Sequence, residues 1–247
     1  MRYFLKIAYK GTRFHGWQKQ NNANTIQNEI EKAICTLTSL KTIETTGCGR
    51  TDTGVHANDF YLHFDIADEI NDLNDFVYRL NRILDNDIAC IKLFRVDETA
   101  HARFDAISRS YAYHIHHKKN PFISEISTYR NLIPDYDIMN IASQKLLLHN
   151  NFASFCKSNS NNSTTICKIT QAYWHFDTNN AIFNITADRF LRNMVRAIVG
   201  TLLQVGHHQI TINDFESIIQ SGKRNEAGDS VPPQGLFLNK VVYPYID

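Results

Sequence analysis

The chain has few of the residues that break or cross-link a polypeptide. Its 247 residues include only five prolines and ten glycines, so the composition excludes a collagen-like or proline-rich protein. The five cysteines form neither a C-x-x-C pair nor a Cys/His run with zinc-finger spacing, so we expect reduced, mostly buried thiols and no bound metal. No apolar run approaches the roughly 18 residues that cross a membrane. The expectation is a globular, cytoplasmic protein with no membrane partner.

Charge of one sign is not in excess either. The chain has 26 Lys and Arg residues against 25 Asp and Glu residues, which leaves a net charge of +1. Bulk electrostatics therefore give no indication of a nucleic-acid partner. An RNA-binding function would have to depend on a local cluster of cations, because phosphate contacts need Lys and Arg on one surface.

Hydrophobic periodicity predicts a mixture of strands and helices. Strands are expected at residues 2–9, 42–46, 59–65, 88–96, 109–116, 166–176, 181–187 and 236–243. Helices are expected after an Asn24–Gln27 capping box and at residues 72–84, 136–148, 188–205 and 211–221, with Gly206 as the C-terminal cap of the longest. This order favours an α+β fold, with antiparallel sheets covered on one face by helices, over a parallel doubly wound sheet.

The same order predicts two α+β halves that join near residues 100–108. The first half, residues 1–105, carries a glycine-rich loop. The second half, residues 106–247, carries an alternating strand with two tyrosines, an arginine-containing helix and the closing strand. An Asn/Ser-rich stretch at 157–165 is predicted to be a loop.

The glycine-rich loop is the strongest chemical signal in the chain. It reads Gly47-Cys48-Gly49-Arg50-Thr51-Asp52-Thr53-Gly54. Arg50 and Asp52 are two residues apart, so in a strand-like segment their side chains would leave on the same side. A hairpin with a surface ion pair worth at most about 1 kcal/mol is one interpretation. The run lacks the Gly-Lys-Ser/Thr end of a P-loop and the spacing of a dinucleotide fingerprint.

Asp52-Thr53-Gly54 is also the tripeptide of aspartic proteases. That chemistry needs two carboxylates sharing a proton, and the chain has no second Asp-Thr-Gly or Asp-Ser-Gly, so a homodimer would have to supply it. Aspartic proteases are all-β, whereas this sequence predicts long helices. The loop by itself leaves a hairpin, half of a protease site and a catalytic loop of another kind open.

Longer blocks of sequence resemble one family. Gly49-Arg50-Thr51-Asp52-Thr53-Gly54-Val55-His56-Ala57 is similar to the catalytic signature of the tRNA pseudouridine synthase A family, with Thr53 where alanine is usual. Further blocks match in order: Phe14-His15-Gly16-Trp17-Gln18-Lys19-Gln20, His101-Ala102-Arg103-Phe104, Arg109-Ser110-Tyr111-Ala112-Tyr113, Met194-Val195-Arg196-Ala197-Ile198-Val199-Gly200 and Gly235-Leu236-Phe237-Leu238. Several ordered blocks make a far more specific signal than one tripeptide.

The resemblance implies an isomerase that converts uridine to pseudouridine in tRNA. It implies two similar, ferredoxin-like α+β halves whose antiparallel sheets join into one extended sheet, with helices on one face and the active cleft between the halves. It also implies a homodimer, base flipping of the target, and uridines at positions 38, 39 and 40 of the anticodon stem-loop as substrates. No cofactor is implied, because isomerisation consumes neither electrons nor water.

The resemblance also implies roles for individual residues. Asp52 matches the nucleophile, an ionised carboxylate suited to covalent catalysis. The residue matching Arg196 pairs with that aspartate, and the residue matching Arg50 positions the flipped nucleotide. Tyr111 matches the tyrosine that stacks on uracil and helps remove the C5 proton, and Leu236 matches an apolar residue lining the uracil pocket.

RNA contacts are expected at two places. Arg189, Arg192 and Arg196 would share a face of the predicted 188–205 helix, being at positions i, i+3 and i+7. Phe14, His15 and Trp17 follow the first strand and would buttress flipped bases, although Trp17 fits a core position equally well. Lys118, Lys119, Lys223 and Arg224 are additional candidates for phosphate contacts. The main rival function is a non-catalytic RNA-binding protein on the same scaffold.

Overall fold

The computed structural model describes residues 1–158 and 163–246, which form two compact units. The first unit consists of Met1–Ile107 and Phe237–Asp247, and the second of Ser108–Leu236. The first unit includes Phe237–Asp247, which was expected to belong to the second half.

Among its described residues, the first unit contains two α-helices and five strands, which pair antiparallel except for the closing strand. Its strands are β1 (Arg2–Tyr9), β2 (Thr45–Gly47), β3 (His56–Asp65), β4 (Ile88–Val96) and the closing strand β9 (Leu236–Val242). The order is β4-β1-β3-β9, with β2 paired to β3. Its helices are α1 (Ile26–Thr38) and α2 (Leu73–Ile83), and α2 packs on β4. Aromatic and aliphatic side chains of β1 and β3 are fully buried, which places the core of the unit under these two strands.

The closing strand joins this sheet through one short parallel ladder and one carboxylate. β9 pairs with β3 only at His56 with Phe237 and Ala57 with Leu238. Beyond that point Asp59 Oδ2 accepts the N–H of Val241 at 2.8 Å. The carboxylate therefore continues the attachment where the backbone ladder stops.

The second unit contains four strands, which pair antiparallel except for one short strand, and three α-helices among the described residues. Its strands are β5 (Ser108–His116), β6 (Thr128–Tyr129), β7 (Ile169–Phe176) and β8 (Asn180–Ala187), in the order β6-β5-β8-β7, with β6 parallel to β5. Its helices are α3 (Tyr136–Lys145), α4 (Met194–Gly206) and α5 (Ile212–Ser221), which pack on one another, with α3 against β7. The predicted α+β class with helices on one sheet face is confirmed.

The first helix is capped differently from the prediction. Its N-cap is Thr25, whose side chain makes no capping bond, so the predicted Asn24–Gln27 capping box is wrong. The Gln27 amide instead donates to the carbonyl of Thr45 at 2.9 Å, and its Oε1 accepts the N–H of Lys19 at 2.9 Å. The side chain thus ties α1 to β2.

Helix α4 begins later than predicted. It starts at Met194 because Asn193 takes a left-handed conformation, with φ of 66°. The predicted helix over 188–205 is therefore wrong in its first turns. Arg189 and Arg192 precede α4 and share no helical face with Arg196.

Gly206 is the last residue of α4 and not its C-terminal cap, which is His207. A Cβ on Gly206 would lie 2.4 Å from Met139 Sδ, well inside the closest real contacts. Close packing of α4 on α3 therefore requires glycine here.

Part of the predicted Asn/Ser-rich loop, residues 159–162, lies outside the described residues. Among the described residues, no helix has the length and apolar character needed to cross a bilayer.

Candidate active site

Asp52 lies in the loop between β2 and β3 and is half-buried. Its predecessor Thr51 is 8% exposed and is held through two atoms. The Thr51 hydroxyl is hydrogen-bonded to Tyr9 Oη at 2.8 Å, and its carbonyl accepts the N–H of Trp17 at 3.2 Å. The N–H of Val55 donates to the carbonyl of Asp52 at 3.1 Å, closing a turn around the carboxylate. The loop therefore fixes the backbone of Asp52 through its neighbours.

The segment that follows β1, residues 14–17, packs against this loop. Phe14 and Trp17 are 2% and 3% exposed, and the Trp17 ring lies 4.3 Å from that of Phe60. The carbonyl of Phe14 accepts the N–H of Gly54 at 3.3 Å. Of the two alternatives for Trp17, the structure supports the core position, and Phe14 is buried with it. His15 is exposed and is the one side chain of the three placed for direct contact with a ligand.

Gly16 sets the distance between this segment and the Asp52 loop. Its φ is +82°, and a Cβ there would lie 2.4 Å from the Thr51 carbonyl oxygen and 3.1 Å from the carbonyl carbon of Asp52. Because real Cβ atoms do not approach so closely, only glycine lets the two backbones touch at this point.

His56 is a positioning residue that the sequence analysis did not identify. It is fully buried, and its Nδ1 accepts the N–H of Gly11 at 3.0 Å. Its ring stacks on Phe237 at 4.5 Å. One side chain thus connects the end of the Asp52 loop to the first turn of the chain and to β9. The signal was present, since His56 lies within the Gly-Arg-Thr-Asp-Thr-Gly-Val-His-Ala run.

Arg50 is exposed, and residues 50–52 are not strand, because β2 ends at Gly47. The expectation that Arg50 and Asp52 leave a strand on the same side therefore loses its geometric basis. The proposed contact of Arg50 with a nucleotide stays a prediction.

Tyr111 lies on β5 in the second unit, directly opposite Ile185 of β8. Its ring is half-buried and makes an edge contact with Phe190, with centroids 5.0 Å apart and planes at 84°. Phe190 belongs to the β8–α4 connection, so this connection limits the orientations that the Tyr111 ring can take.

Arg196 lies in the first turn of α4 and is bonded to the loop that leads to β9. Its Nε donates to the carbonyl of Val231 at 2.7 Å, and the N–H of Val231 donates to the carbonyl of Arg196 at 3.2 Å. The next carbonyl, of Pro232, accepts a hydrogen bond from Tyr113 Oη at 2.8 Å. Two successive carbonyls are therefore held, one by the helix and one by β5.

This loop ends at Leu236, which is 6% exposed. The N–H of Leu236 donates to the carbonyl of Pro233, which closes a short 3-10 turn. Tyr113 itself is fully buried and is also hydrogen-bonded to Thr128 Oγ1 at 2.7 Å. Burial raises the pKa of Tyr113 to about 12, so its phenol stays protonated and able to donate.

The remaining predicted phosphate contacts differ in their surroundings. Lys118 and Lys119 are exposed. Lys223 pairs with Glu226 at 2.9 Å. Arg224 donates to the carbonyls of Ala227 and Gly228 and to Ser230 Oγ, so it holds the loop that leads to Val231.

The predicted site residues are distributed over both units. Arg50 and Asp52, with Phe14, His15 and Trp17, belong to the first unit, and the others to the second: Tyr111, Arg189, Arg192, Arg196 and Leu236. Within the described parts of the chain, no group of three or more His, Cys, Asp and Glu side chains is placed to hold a metal ion.

Comparison with known proteins identifies a family. Residues 6–105 and 142–244 match the model of a family described as tRNA pseudouridine synthase. A protein of Porphyromonas gingivalis named tRNA pseudouridine synthase A is 44% identical over 98% of this chain and 97% of its own length. Proteins of the same name from Bacteroides fragilis and Clostridium acetobutylicum are 46% and 38% identical, over 98% and 97% of this chain and 96% and 98% of their own lengths. The chain belongs to the tRNA pseudouridine synthase family.

Proposed function

We propose that this chain is an isomerase that converts uridine to pseudouridine in tRNA, with Asp52 as the nucleophile. The observation that supports this most directly is the construction of the Asp52 loop. Buried groups hold the residues on both sides of Asp52, whereas its own carboxylate lies in a half-buried position. Such an arrangement suits a group that must meet a substrate in one orientation.

The proposed reaction rearranges bonds within one nucleotide. The N1–C1′ bond breaks, the base turns, C5 forms the new bond to C1′, and the C5 proton is lost to solvent while N1 gains one. Asp52 acts as the covalent catalyst, and attack at C1′, attack at the uracil ring and initial removal of a sugar proton are all compatible with a carboxylate.

The other site residues have supporting roles in this proposal. Arg196 is proposed to pair with Asp52. Arg50 positions the flipped nucleotide. Tyr111 stacks on the uracil and helps to remove the C5 proton, with an aromatic contact worth roughly 1–3 kcal/mol. Leu236 lines the uracil pocket.

Unpairing the target costs a few kcal/mol, which contacts with the rest of the RNA must offset. We propose uridines 38, 39 and 40 of the anticodon stem-loop as substrates, in a cytoplasmic enzyme that requires no cofactor. We also propose a homodimer. Exposed apolar side chains between β5 and α3 support this, since Phe122, Leu132 and Ile133 are 92%, 67% and 61% exposed. Sedimentation should then give about twice the chain mass of 28.5 kDa.

Release of tritium from [5-³H]uridine-labelled tRNA tests the chemistry. The wild type should release tritium, and Asp52→Asn should release none while binding tRNA with similar affinity. Asp68→Asn, which changes an exposed carboxylate in the same unit, serves as the matched control and should behave as the wild type. Tritium release by Asp52→Asn at the wild-type rate would refute the nucleophile assignment.

The same assay separates the rival functions. A non-catalytic RNA-binding protein would bind tRNA without releasing tritium from any variant. The aspartic protease alternative requires an all-β fold, whereas the described residues contain five α-helices. We therefore retain the synthase as the single proposed function.

A further inference from the structure

A half-buried arginine that follows α5 holds the loop that leads to β9. Arg224 donates through Nη1 to the carbonyls of Ala227 at 3.2 Å and Gly228 at 3.1 Å. Its Nη2 donates to Ser230 Oγ at 3.1 Å. One guanidinium thus serves three acceptors within four consecutive residues. Because its donors lie in one rigid plane, these three bonds together fix the course of the loop.

This loop, residues 227–231, lies along helix α4. The N–H of Gly228 donates to Thr201 Oγ1 at 2.9 Å. A Cβ on Gly200 would lie 1.8 Å from the carbonyl oxygen of Asp229, so loop and helix are in direct backbone contact at that point. The 227–231 loop therefore has a defined position on the helix that carries Arg196.

The same loop meets the first turn of α4 at two successive residues. Ser230 Oγ accepts hydrogen bonds from Arg224 and from Nδ2 of Asn193, which is the N-cap of the helix. A hydroxyl oxygen has two lone pairs, so it can accept both. The carbonyl of Val231 accepts Nε of Arg196 at 2.7 Å, and the N–H of Val231 donates to the carbonyl of Arg196 at 3.2 Å. The hydroxyl that Arg224 holds is therefore adjacent in sequence to the carbonyl that Arg196 binds.

The Val231 carbonyl is held from both sides along the chain. Tyr113 binds the carbonyl of Pro232, the residue that follows it. Arg224 binds the residues that precede it. Since Nε of Arg196 donates to this carbonyl, the plane of the Arg196 guanidinium depends on where the carbonyl lies. Displacement of the 227–231 loop would therefore displace the guanidinium, although the loop itself carries no reacting group.

We infer that Arg224 is a positioning residue for Arg196 and that Ser230 links the two. This inference rests on the proposed function, because it takes Arg196 as the partner of Asp52. It gives Arg224 a role within the protein in place of the phosphate contact expected from the sequence. Both Nη atoms of Arg224 donate to acceptors of the protein, whereas a phosphate contact would need these donors directed at the RNA.

Two substitutions at Arg224 separate its charge from its hydrogen-bond geometry. Arg224→Gln removes the charge, whereas Arg224→Lys keeps the charge and loses the planar fork of donors. Positioning requires the fork, so both variants should lose about tenfold in kcat, with KM within about twofold of wild type, in steady-state tritium release. Arg130→Gln is the matched control and should keep the wild-type kcat, since it removes the same charge from an exposed arginine of the same unit. A wild-type kcat in Arg224→Lys overturns the inference.

The salt dependence of tRNA binding gives an independent readout of the same two variants. Each phosphate contact contributes roughly 0.7–0.9 to the slope of log K against log salt concentration. Arg224→Gln should keep the slope of the Arg130→Gln control, because the arginine is expected to bind the protein and not the RNA. A slope reduced by roughly 0.7–0.9 in Arg224→Gln and restored in Arg224→Lys would identify a phosphate contact and overturn the inference.

Ser230→Ala tests the link between Arg224 and α4 without changing any charge. It removes the oxygen that accepts from both Arg224 and Asn193, so kcat should fall about fivefold. The losses should not multiply in Arg224→Gln/Ser230→Ala, because both changes remove the same contact: the double variant should lose about tenfold and not about 50-fold. A multiplied loss would show two independent effects and contradict the inference.

Folding and the proposed function are scored separately. Circular dichroism and the urea midpoint show whether each variant is folded. If Arg224→Gln and Arg224→Lys fail to fold, Ser230→Ala decides, and a wild-type kcat in that variant overturns the inference. Absence of tritium release by the wild type would refute the proposed function, whereas normal release with a wild-type kcat in Arg224→Lys would refute only the role of Arg224.

Discussion

Replacing Gly16 with alanine is expected to displace the catalytic loop without touching any reacting group. The new Cβ would lie 2.4 Å from the carbonyl oxygen of Thr51, whereas ordinary contacts begin at 3.4 Å. Backbone atoms stand on both sides of this contact, so no flexible side chain can absorb the overlap. The backbone at Asp52 therefore has to move by about 1 Å.

Two separate costs follow from this substitution. Alanine at φ of +82° costs about 1–2 kcal/mol of stability through left-handed strain. A displacement of about 1 Å at a catalytic group costs on the order of 100-fold in rate. We expect Gly16→Ala to remain folded at 25 °C and to isomerise uridine about 100 times more slowly than the wild type.

Gly222→Ala separates the two costs. Gly222 has φ of +67°, and a Cβ there would meet only the Cβ of Ala153, at 3.8 Å. This variant incurs the same backbone strain in the second unit, so its stability in urea should fall by about 1–2 kcal/mol. Its single-turnover rate of tritium release, measured with saturating protein, should match that of the wild type.

Two results would refute this reasoning. If Gly16→Ala released tritium at the wild-type rate, the contact with Thr51 would not fix the position of Asp52. If Gly222→Ala lost as much rate as Gly16→Ala, general destabilisation and not loop displacement would explain the effect.

Two further predictions concern buried polar groups. Tyr113→Phe leaves the carbonyl of Pro232 without its donor, so kcat should fall about tenfold with little change in KM. Thr128→Val removes the other partner of Tyr113 and should leave kcat nearly unchanged. Steady-state kinetics of the two variants tests this prediction. Burial lowers the pKa of His63 from 6.5 to about 4. As the pH falls through this range, His63 is protonated in the unfolded chain before it is protonated in the folded chain, so the free energy of unfolding decreases. Urea denaturation should show up to about 3 kcal/mol lost between pH 6.5 and 4, and His63→Gln should flatten this dependence.

Most of the fold follows from local sequence patterns. The apolar and aromatic run at residues 2–9 predicts β1, and Tyr3, Phe4, Leu5 and Ile7 are all fully buried. Helix boundaries were less predictable. The observed helix begins only after Asn193, because Asn193 takes a left-handed conformation. A pattern of arginines at helical spacing does not reveal this start. The residue has the right chemistry for that conformation, but its neighbours decide whether it adopts it.

The sequence indicates candidate site residues where chemistry constrains the residue type, and it indicates much less where packing constrains it. The run around Asp52 is recognisable because its residue types are specific to a reaction. Trp17 packs against Phe60, a residue more than 40 positions away, and local composition does not reveal such a contact. His56 was missed for the same reason, since its partners Gly11 and Phe237 are remote in sequence.

The constraints of chemistry and of packing together explain how the Asp52 loop is built. A carboxylate that reacts with a substrate has to keep a face accessible, so packing contacts on its own side chain cannot fully define its position. The adjacent residues therefore also constrain its orientation. Thr51 is hydrogen-bonded through its hydroxyl and its carbonyl, and Val55 is 2% exposed. Substitutions at these neighbours should therefore impair Asp52 as severely as many changes to groups that touch the RNA, because a site depends on the residues that hold its reacting group in place.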